Sequence, residues 1–286
     1  MGIIQVKKTI KIRNTLIDLS TKKIMGILNI TPDSFYQGSR VQMIDEVLKK
    51  TDQFLKEGAD FIDIGGYSSR PGAKEISLDT ELQRIIEPIN QVHANFPEAI
   101  ISIDTFRPEV ASKAIEAGAS MINDITAGGI NEKMFEIVAS YDVPYIIMHM
   151  KESPKTMQLN PQYEDVVMEV VRFFSAKIEK LKKLGISDII IDPGFGFGKT
   201  STHNFQLLKN LGELKLLNIP VMVGLSRKSM VYKTLNISPD EALNGTTALN
   251  TIALLNGADV LRVHDAKEAK QVIELVDLYS HSVFIQ

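Results

Sequence analysis

The chain has 286 residues, of which 44% are hydrophobic and 23% charged; it carries no cysteine and a net charge of −3. That length allows one large domain or two small ones and buries a core without staples, and the ordinary composition excludes disordered, collagen-like and fibrous proteins. The balanced charge offers no field for nucleic acid or an anionic membrane. The missing cysteine excludes disulfides, thiolate metal sites and a cysteine nucleophile, and suits a reducing cytoplasm.

Residues 3–19 alternate apolar and polar around Arg13-Asn14, which predicts a β-hairpin. The same segment has charges every few residues instead of an apolar signal core, and no run approaches the ~18 apolar residues of a membrane span. Short β-branched runs then recur at 24–29, 61–65, 100–104, 121–124, 145–149, 189–192, 221–224 and 260–264. Uniformly apolar runs of this kind predict parallel strands buried on both faces. Between them, segments 41–56, 78–95, 109–117, 132–140, 163–184, 204–217, 240–256 and 267–278 repeat apolar residues at helical spacing. Gly58, Gly118, Gly185 and Gly257 follow four of these as C-terminal caps. Eight strand–helix units predict a single (β/α)8 barrel, an α/β TIM barrel spanning 1–286, with the N-terminal β-hairpin plugging its bottom. A doubly wound open sheet would call for a Gly-rich first turn, and here that turn is Asn29-Ile30-Thr31-Pro32-Asp33-Ser34.

In such a barrel the C-terminal strand ends carry the chemistry. They hold Asn29, Asp63, Asp104, Asn123 with Asp124, His149, Asp192, Gly224 followed by Ser226-Arg227-Lys228, and Arg262 with His264. Any one of these Asp or Asn residues is often only a turn former, but eight polar strand ends converging on one mouth make a site. Asp104, Asn123, Asp192 and Lys228 combine acceptors and donors suited to the edge of a flat, nitrogen-rich heterocycle. Asn29, Arg70, Arg262 and His264 resemble an anion site, with the Asn29 carbonyl available to Mg²⁺. The stretch from Asp192 to Thr200 ends in Gly-Lys-Thr, yet Pro193 stands where a P-loop needs its first glycine, and the glycine spacing misses the dinucleotide pattern. It reads instead as a glycine-lined shelf for a planar ligand, with Phe197 as a wall. Loops 31–38 and 65–72 are rich in Gly, Pro and hydroxyls and are expected to close over the mouth.

Together these segments resemble the dihydropteroate synthase family. The resemblance rests on Met25-Gly26-Ile27-Leu28-Asn29 through Phe35, Asp63-Ile64-Gly65-Gly66 with Ser69-Arg70-Pro71-Gly72-Ala73, Ser102-Ile103-Asp104-Thr105, Ile122-Asn123-Asp124, Ile147-Met148-His149-Met150, the shelf, Gly224-Leu225-Ser226-Arg227-Lys228-Ser229 and Leu261-Arg262-Val263-His264-Asp265. It implies an enzyme that joins 6-hydroxymethyl-7,8-dihydropterin diphosphate to 4-aminobenzoate through an SN1-like displacement assisted by Mg²⁺. By position, Asp104, Asn123, Met148, Asp192, Phe197, Gly224, Lys228 and Arg262 would hold the pterin, and Asn29, Arg70, Arg262 and His264 the diphosphate. Phe35, Ser69, Pro71, Lys228 and Ser229 would frame the aminobenzoate, Asn29 would meet the Mg²⁺, and Asp33, Lys228 and Arg262 would act in catalysis. The resemblance further implies a homodimer that binds small molecules; the charge balance leaves neither nucleic acid nor membrane as partner, and the missing cysteine suits the cytoplasm. Tyr67 stands where many members have Glu and reads as a loop variant. Two alternatives share the pterin grip: a methyltetrahydrofolate methyltransferase domain, and a paralogue that binds pterin without catalysis.

Overall fold

The described residues begin with an antiparallel hairpin of β1 (Thr9–Ile12) and β2 (Thr15–Asp18), turned at Arg13 in the left-handed region with φ 53°. The structure is a computed structural model describing residues 9–30, 40–68, 74–151, 157 and 161–282. Eight parallel strands follow: β3 (Lys23–Asn29), β4 (Phe61–Gly65), β5 (Ile100–Asp104), β6 (Met121–Asp124), β7 (Tyr145–Met148), β8 (Ile189–Asp192), β9 (Met222–Val223) and β10 (Val260–Val263). They pair in chain order, and β10 returns to β3 with Val263 opposite Gly26. A bridge between Ile191 and Val221 joins β8 to β9, so the eight strands close into a barrel.

Side chains alternate across each strand, and the two faces have different tasks. Ile62, Ile64, Ile101, Ile103, Leu261 and Val263 face outward into the large apolar layer under the helices. Met25, Phe61, Met121, Ile146, Ile190, Met222 and Val260 face the lumen near the strand starts, where they pack with Ile10, Ile12 and Leu19 of the hairpin segment. The hairpin therefore plugs the N-terminal mouth as the alternation predicts, and Arg13 fastens it through the carbonyls of Pro97 and Ala99 at 3.0 and 3.2 Å. Each fully buried side chain of this kind contributes roughly 1.5–3 kcal/mol. The other mouth is left for polar residues.

The outer layer comprises α1 (Arg40–Lys56), α2 (Leu78–Asn95), α3 (Pro108–Glu116), α4 (Lys133–Tyr141), α5 (Val166–Lys183), α6 (Ser201–Lys209), α7 (Ser229–Leu235), α8 (Leu243–Leu255) and α9 (Ala266–His281). Apolar spacing places the helices, but capping sets their starts. Asp165 accepts the Val167 and Met168 N–H groups and starts α5 three residues later than the periodicity from 163 implies. Thr200 accepts from His203 N–H and starts α6 ahead of the expected residue 204. The expected helix 204–217 divides at Asn210 into α6 and a 3₁₀ segment, Leu211–Leu217. The seven-residue α7 has no counterpart among the sequence-predicted helices; it is too short to show a helical apolar period. Among the described residues, no helix is long and apolar enough to cross a membrane.

Candidate active site

The strand periodicity that puts Phe61 in the lumen also puts Asp63 and Gly65 there, and it does the same for Asp104, Asn123, Met148, Asp192, Gly224 and Arg262 on their strands. Gly65, Asp104 and Asn123 stand level across β4, β5 and β6. Arg262 reaches across the lumen and donates from Nε to Asp63 at 2.6 Å and from Nη2 to Asp104 at 2.7 Å. Asn123 Nδ2 donates to the same Asp63 oxygen at 2.9 Å. Asn29, at the end of β3, lies beside this group: a Cβ on Gly65 would meet Asn29 Oδ1 at 3.5 Å and Asp104 Cβ at 3.3 Å.

This floor is largely buried and densely charged. Burial pushes the Asp104 carboxyl up to about 7; Arg262 opposes that, while Asp63, Glu81 and Asp124 add to it. Burial raises Asp192 as well, against the nearby Lys228 ammonium. It also lowers Lys228 to about 8, with Asp192 holding the proton on and Arg262 pushing it off. For Arg262 burial works against the charge, but Asp63 and Asp104 more than offset it and lift the guanidinium above its usual range. The result is a polar pocket with two groups that titrate near neutrality, a pattern common at reacting sites.

The shelf after β8 is built on a buried lysine. Lys199 Nζ lies 3.0 Å from His149 Nδ1, 3.3 Å from the His149 carbonyl, 3.0 Å from that of Gly194 and 3.1 Å from that of Phe197. Burial, reinforced by Lys199, pushes the His149 imidazole down to about 2, so the ring is neutral and its Nδ1 can accept. The buried lysine of Gly-Lys-Thr thus ties the end of β7 to the shelf from inside. Asn204 completes the brace by accepting Gly196 N–H at 2.8 Å. Gly194, at φ +70°, runs so close to β7 that a Cβ would come within 2.0 Å of the His149 carbonyl oxygen. Gly194→Ala is therefore expected to cost roughly 2–4 kcal/mol from overpacking and left-handed strain, measured by urea denaturation.

The shelf in turn presents its Phe195 carbonyl to Lys228 Nζ at 2.6 Å, and the Phe197 ring lies 4.8 Å from the same ammonium. Lys228 reaches them from the β9–α7 corner, where Gly224 leaves room: a Cβ there would stand 3.5 Å from Nζ. Arg227 turns this corner with φ 54° and is pinned by two bonds to Asp265 at 3.0 and 2.8 Å. Ser229 is the first residue of α7, and His264 Nδ1 lies 3.0 Å from Ser226 Oγ.

The structure therefore gathers Asn29, Asp104, Asn123, Met148, Asp192, Phe197, Gly224, Lys228, Ser229, Arg262 and His264 around one mouth. Asp33, Phe35, Ser69, Arg70 and Pro71 lie outside the described residues. Two of the strand-end residues serve as supports. Asp124 is consumed by Thr126, Gly128 and Tyr145, and His149 by Lys199 and the Phe173 ring. Tyr67, read as a loop variant, stacks edge-on against Phe106 at 5.1 Å beneath Arg107, which is itself bound to the buried Glu81 at 2.6 Å. Lys199 and Asp63 carry more of the site than their sequence context implied. The available signal was a charged residue inside an apolar strand or a glycine run, where it must find partners.

Among the described residues no group of three His, Cys, Asp or Glu could form an all-protein metal cage. Mg²⁺ commonly keeps waters and phosphate oxygens and takes few protein ligands, and Asn29 Oδ1 at the mouth could offer it one oxygen.

The family described as pterin binding enzyme matches residues 25–264. Dihydropteroate synthase of Escherichia coli (strain K12) is 42% identical over 268 residues, 93% of this chain and 94% of that protein. Among solved structures, Yersinia pestis dihydropteroate synthase in complex with a sulfonamide drug superposes with a TM-score of 0.90 at 39% identity, covering 96% of this chain and 100% of that one. The Xanthomonas albilineans enzyme in complex with 7,8-dihydropteroate gives a TM-score of 0.86 at 34% identity, with coverage of 96% and 100%.

Proposed function

The chain belongs to the pterin binding enzymes, as a member of their dihydropteroate synthase family of transferases, and from that premise we propose that it condenses 6-hydroxymethyl-7,8-dihydropterin diphosphate with 4-aminobenzoate to 7,8-dihydropteroate and pyrophosphate. The observation that carries the reading is the floor of Asp104, Asn123, Asp192, Lys228 and Arg262 closing one end of a barrel whose other end is plugged. The Asp104 and Asp192 carboxylates accept from the aminopyrimidine edge, and Asn123 and Lys228 complete the pairing, the latter donating to the ring carbonyl. Met148, Phe197 and Gly224 wall the ring, with Arg262 beneath it.

Asn29, Arg70, Arg262 and His264 hold the diphosphate at the rim. Asn29 would also ligate a Mg²⁺ ion, which supplies charge neutralisation to the leaving group. The C–O bond to the diphosphate breaks first, and pyrophosphate leaves with the electron pair. The pterin delocalises the positive charge left on its exocyclic carbon. The aminobenzoate amine, framed by Phe35, Ser69, Pro71, Lys228 and Ser229, then forms the C–N bond and loses a proton, with Asp33 as the acceptor. Positioning matters more than activation for so weak a nucleophile. A homodimer assembled through the later helices and a cytoplasmic location complete the proposal.

Steady-state kinetics in both substrates test this division of labour. Ser229→Ala should raise KM for 4-aminobenzoate severalfold and leave that for the pterin diphosphate within twofold. A rise confined to the pterin diphosphate would show that the corner serves the other substrate.

A further inference from the structure

The proposed pterin residues rest on a carboxylate that the mechanism above does not use. Asp63 is fully buried at the centre of β4, one layer below Gly65, Asp104 and Asn123. Its Oδ2 accepts both Arg262 Nε at 2.6 Å and Asn123 Nδ2 at 2.9 Å. Its Oδ1 is buried and has no hydrogen-bond partner among the described residues; neither does Oγ of Ser102, its neighbour in register on β5.

We propose that Asp63, which exposes no surface to a ligand, is a positioning residue that orients Arg262 and Asn123 and shares the Arg262 charge with Asp104. An ionised carboxylate can only accept, so it fixes the Asn123 amide with its NH₂ group inward and leaves the carbonyl end for a ligand. By taking Nε of Arg262 it leaves Nη2 for Asp104. Without Asp63 the guanidinium has one carboxylate partner here instead of two, and the amide is free to turn over.

The inference rests on the pterin reading, and its test is electrostatic. Asp104 faces Asp63 on β4, Glu81 on α2, Asp124 on β6, Arg262 on β10 and the Lys228 ammonium. With its carboxyl at about 7, Asp104 becomes neutral as pH falls through that value and stops accepting from the pterin, so affinity has an acid limb there. Asp63 is one of the negative charges that hold this limb high. Asp63→Asn removes the charge at nearly constant shape and leaves Arg262 to Asp104.

Binding of 6-hydroxymethylpterin, followed by calorimetry from pH 5 to 9, separates the outcomes. Asp63→Asn is expected to weaken binding at pH 8 at least about tenfold, the scale of one hydrogen bond to a charged group, and to move the acid limb to lower pH. The alkaline limb, where Asp63 is not among the charges acting on Lys228, stays in place as an internal reference. Weaker binding with an unmoved acid limb would show Asp63 to be structural only and overturn the proposal. If Asp63→Asn does not fold, Asp63→Glu keeps the charge and displaces it: the limb must stay near 7 while affinity falls, and wild-type affinity in that variant overturns the proposal. Wild-type protein that binds no pterin defeats the functional reading itself, which is a different result from either.

Discussion

Arg262→Ala is expected to leave the protein at the edge of unfolding. Arg262 is the cation shared by Asp63 and Asp104, the first fully buried and the second mostly so. Removing one member of a buried pair leaves an uncompensated charge and typically costs 3–5 kcal/mol. Here two carboxylates lose their partner at once, and Asp63 keeps only the Asn123 amide. Against a total stability of about 5–15 kcal/mol this is a large fraction, and thermal denaturation at pH 8 should show it as a marked fall in Tm. The sign of the pH effect is fixed by the same geometry. Acidification protonates Asp104 and removes part of the repulsion, so the variant should lose less stability relative to wild type at pH 6 than at pH 8. Wild-type Tm in Arg262→Ala at pH 8 would mean that the floor is not charge-coupled.

Lys228→Ala is expected to lower kcat/KM by on the order of 100-fold for both substrates, with a smaller loss of stability than Arg262→Ala. The ammonium is placed by the Phe195 carbonyl at 2.6 Å and the Phe197 ring at 4.8 Å, and it faces Asp192. It is the one residue assigned to both pterin and aminobenzoate, so its removal deletes a charge-assisted hydrogen bond at each, worth about 1.5–3 kcal/mol. Its carboxylate neighbour Asp192 still accepts Gly194 N–H at 2.8 Å, so the fold keeps its shelf. Steady-state kinetics in each substrate, with a thermal melt as control, distinguish this from misfolding. An effect confined to one substrate would place Lys228 on that side alone.

Much of the barrel was legible because its strands are short, apolar and β-branched, most of them ending in or leading into a polar residue. The runs at Phe61–Gly65, Ile100–Asp104, Met121–Asp124 and Ile189–Asp192 coincide with the observed strands to the residue. Residues that face the lumen at a strand end could be read directly: Asp104, Asn123, Asp192 and Arg262 all lie at one end of the barrel. What a linear reading could not supply was which polar residue faces the ligand and which supports it. Asp104 and Asp124 look alike at their strand ends, yet Asp124 is consumed by Tyr145 and its own turn. Asp63 differs from Asp104 by one layer of depth, which only the register of β4 on β5 reveals. Lys199 sits in a nucleotide-like motif and turns inward, because four acceptors from β7 and the shelf meet there.

The measurement that bears most directly on this account is product formation by the purified chain. Supplied with 6-hydroxymethyl-7,8-dihydropterin diphosphate, 4-aminobenzoate and Mg²⁺, the wild-type protein should release 7,8-dihydropteroate and pyrophosphate in equal amounts, and Asp104→Asn, folded by circular dichroism, should do so at least about tenfold more slowly. Pterin binding without any dihydropteroate, or equal rates in wild type and Asp104→Asn, would contradict it.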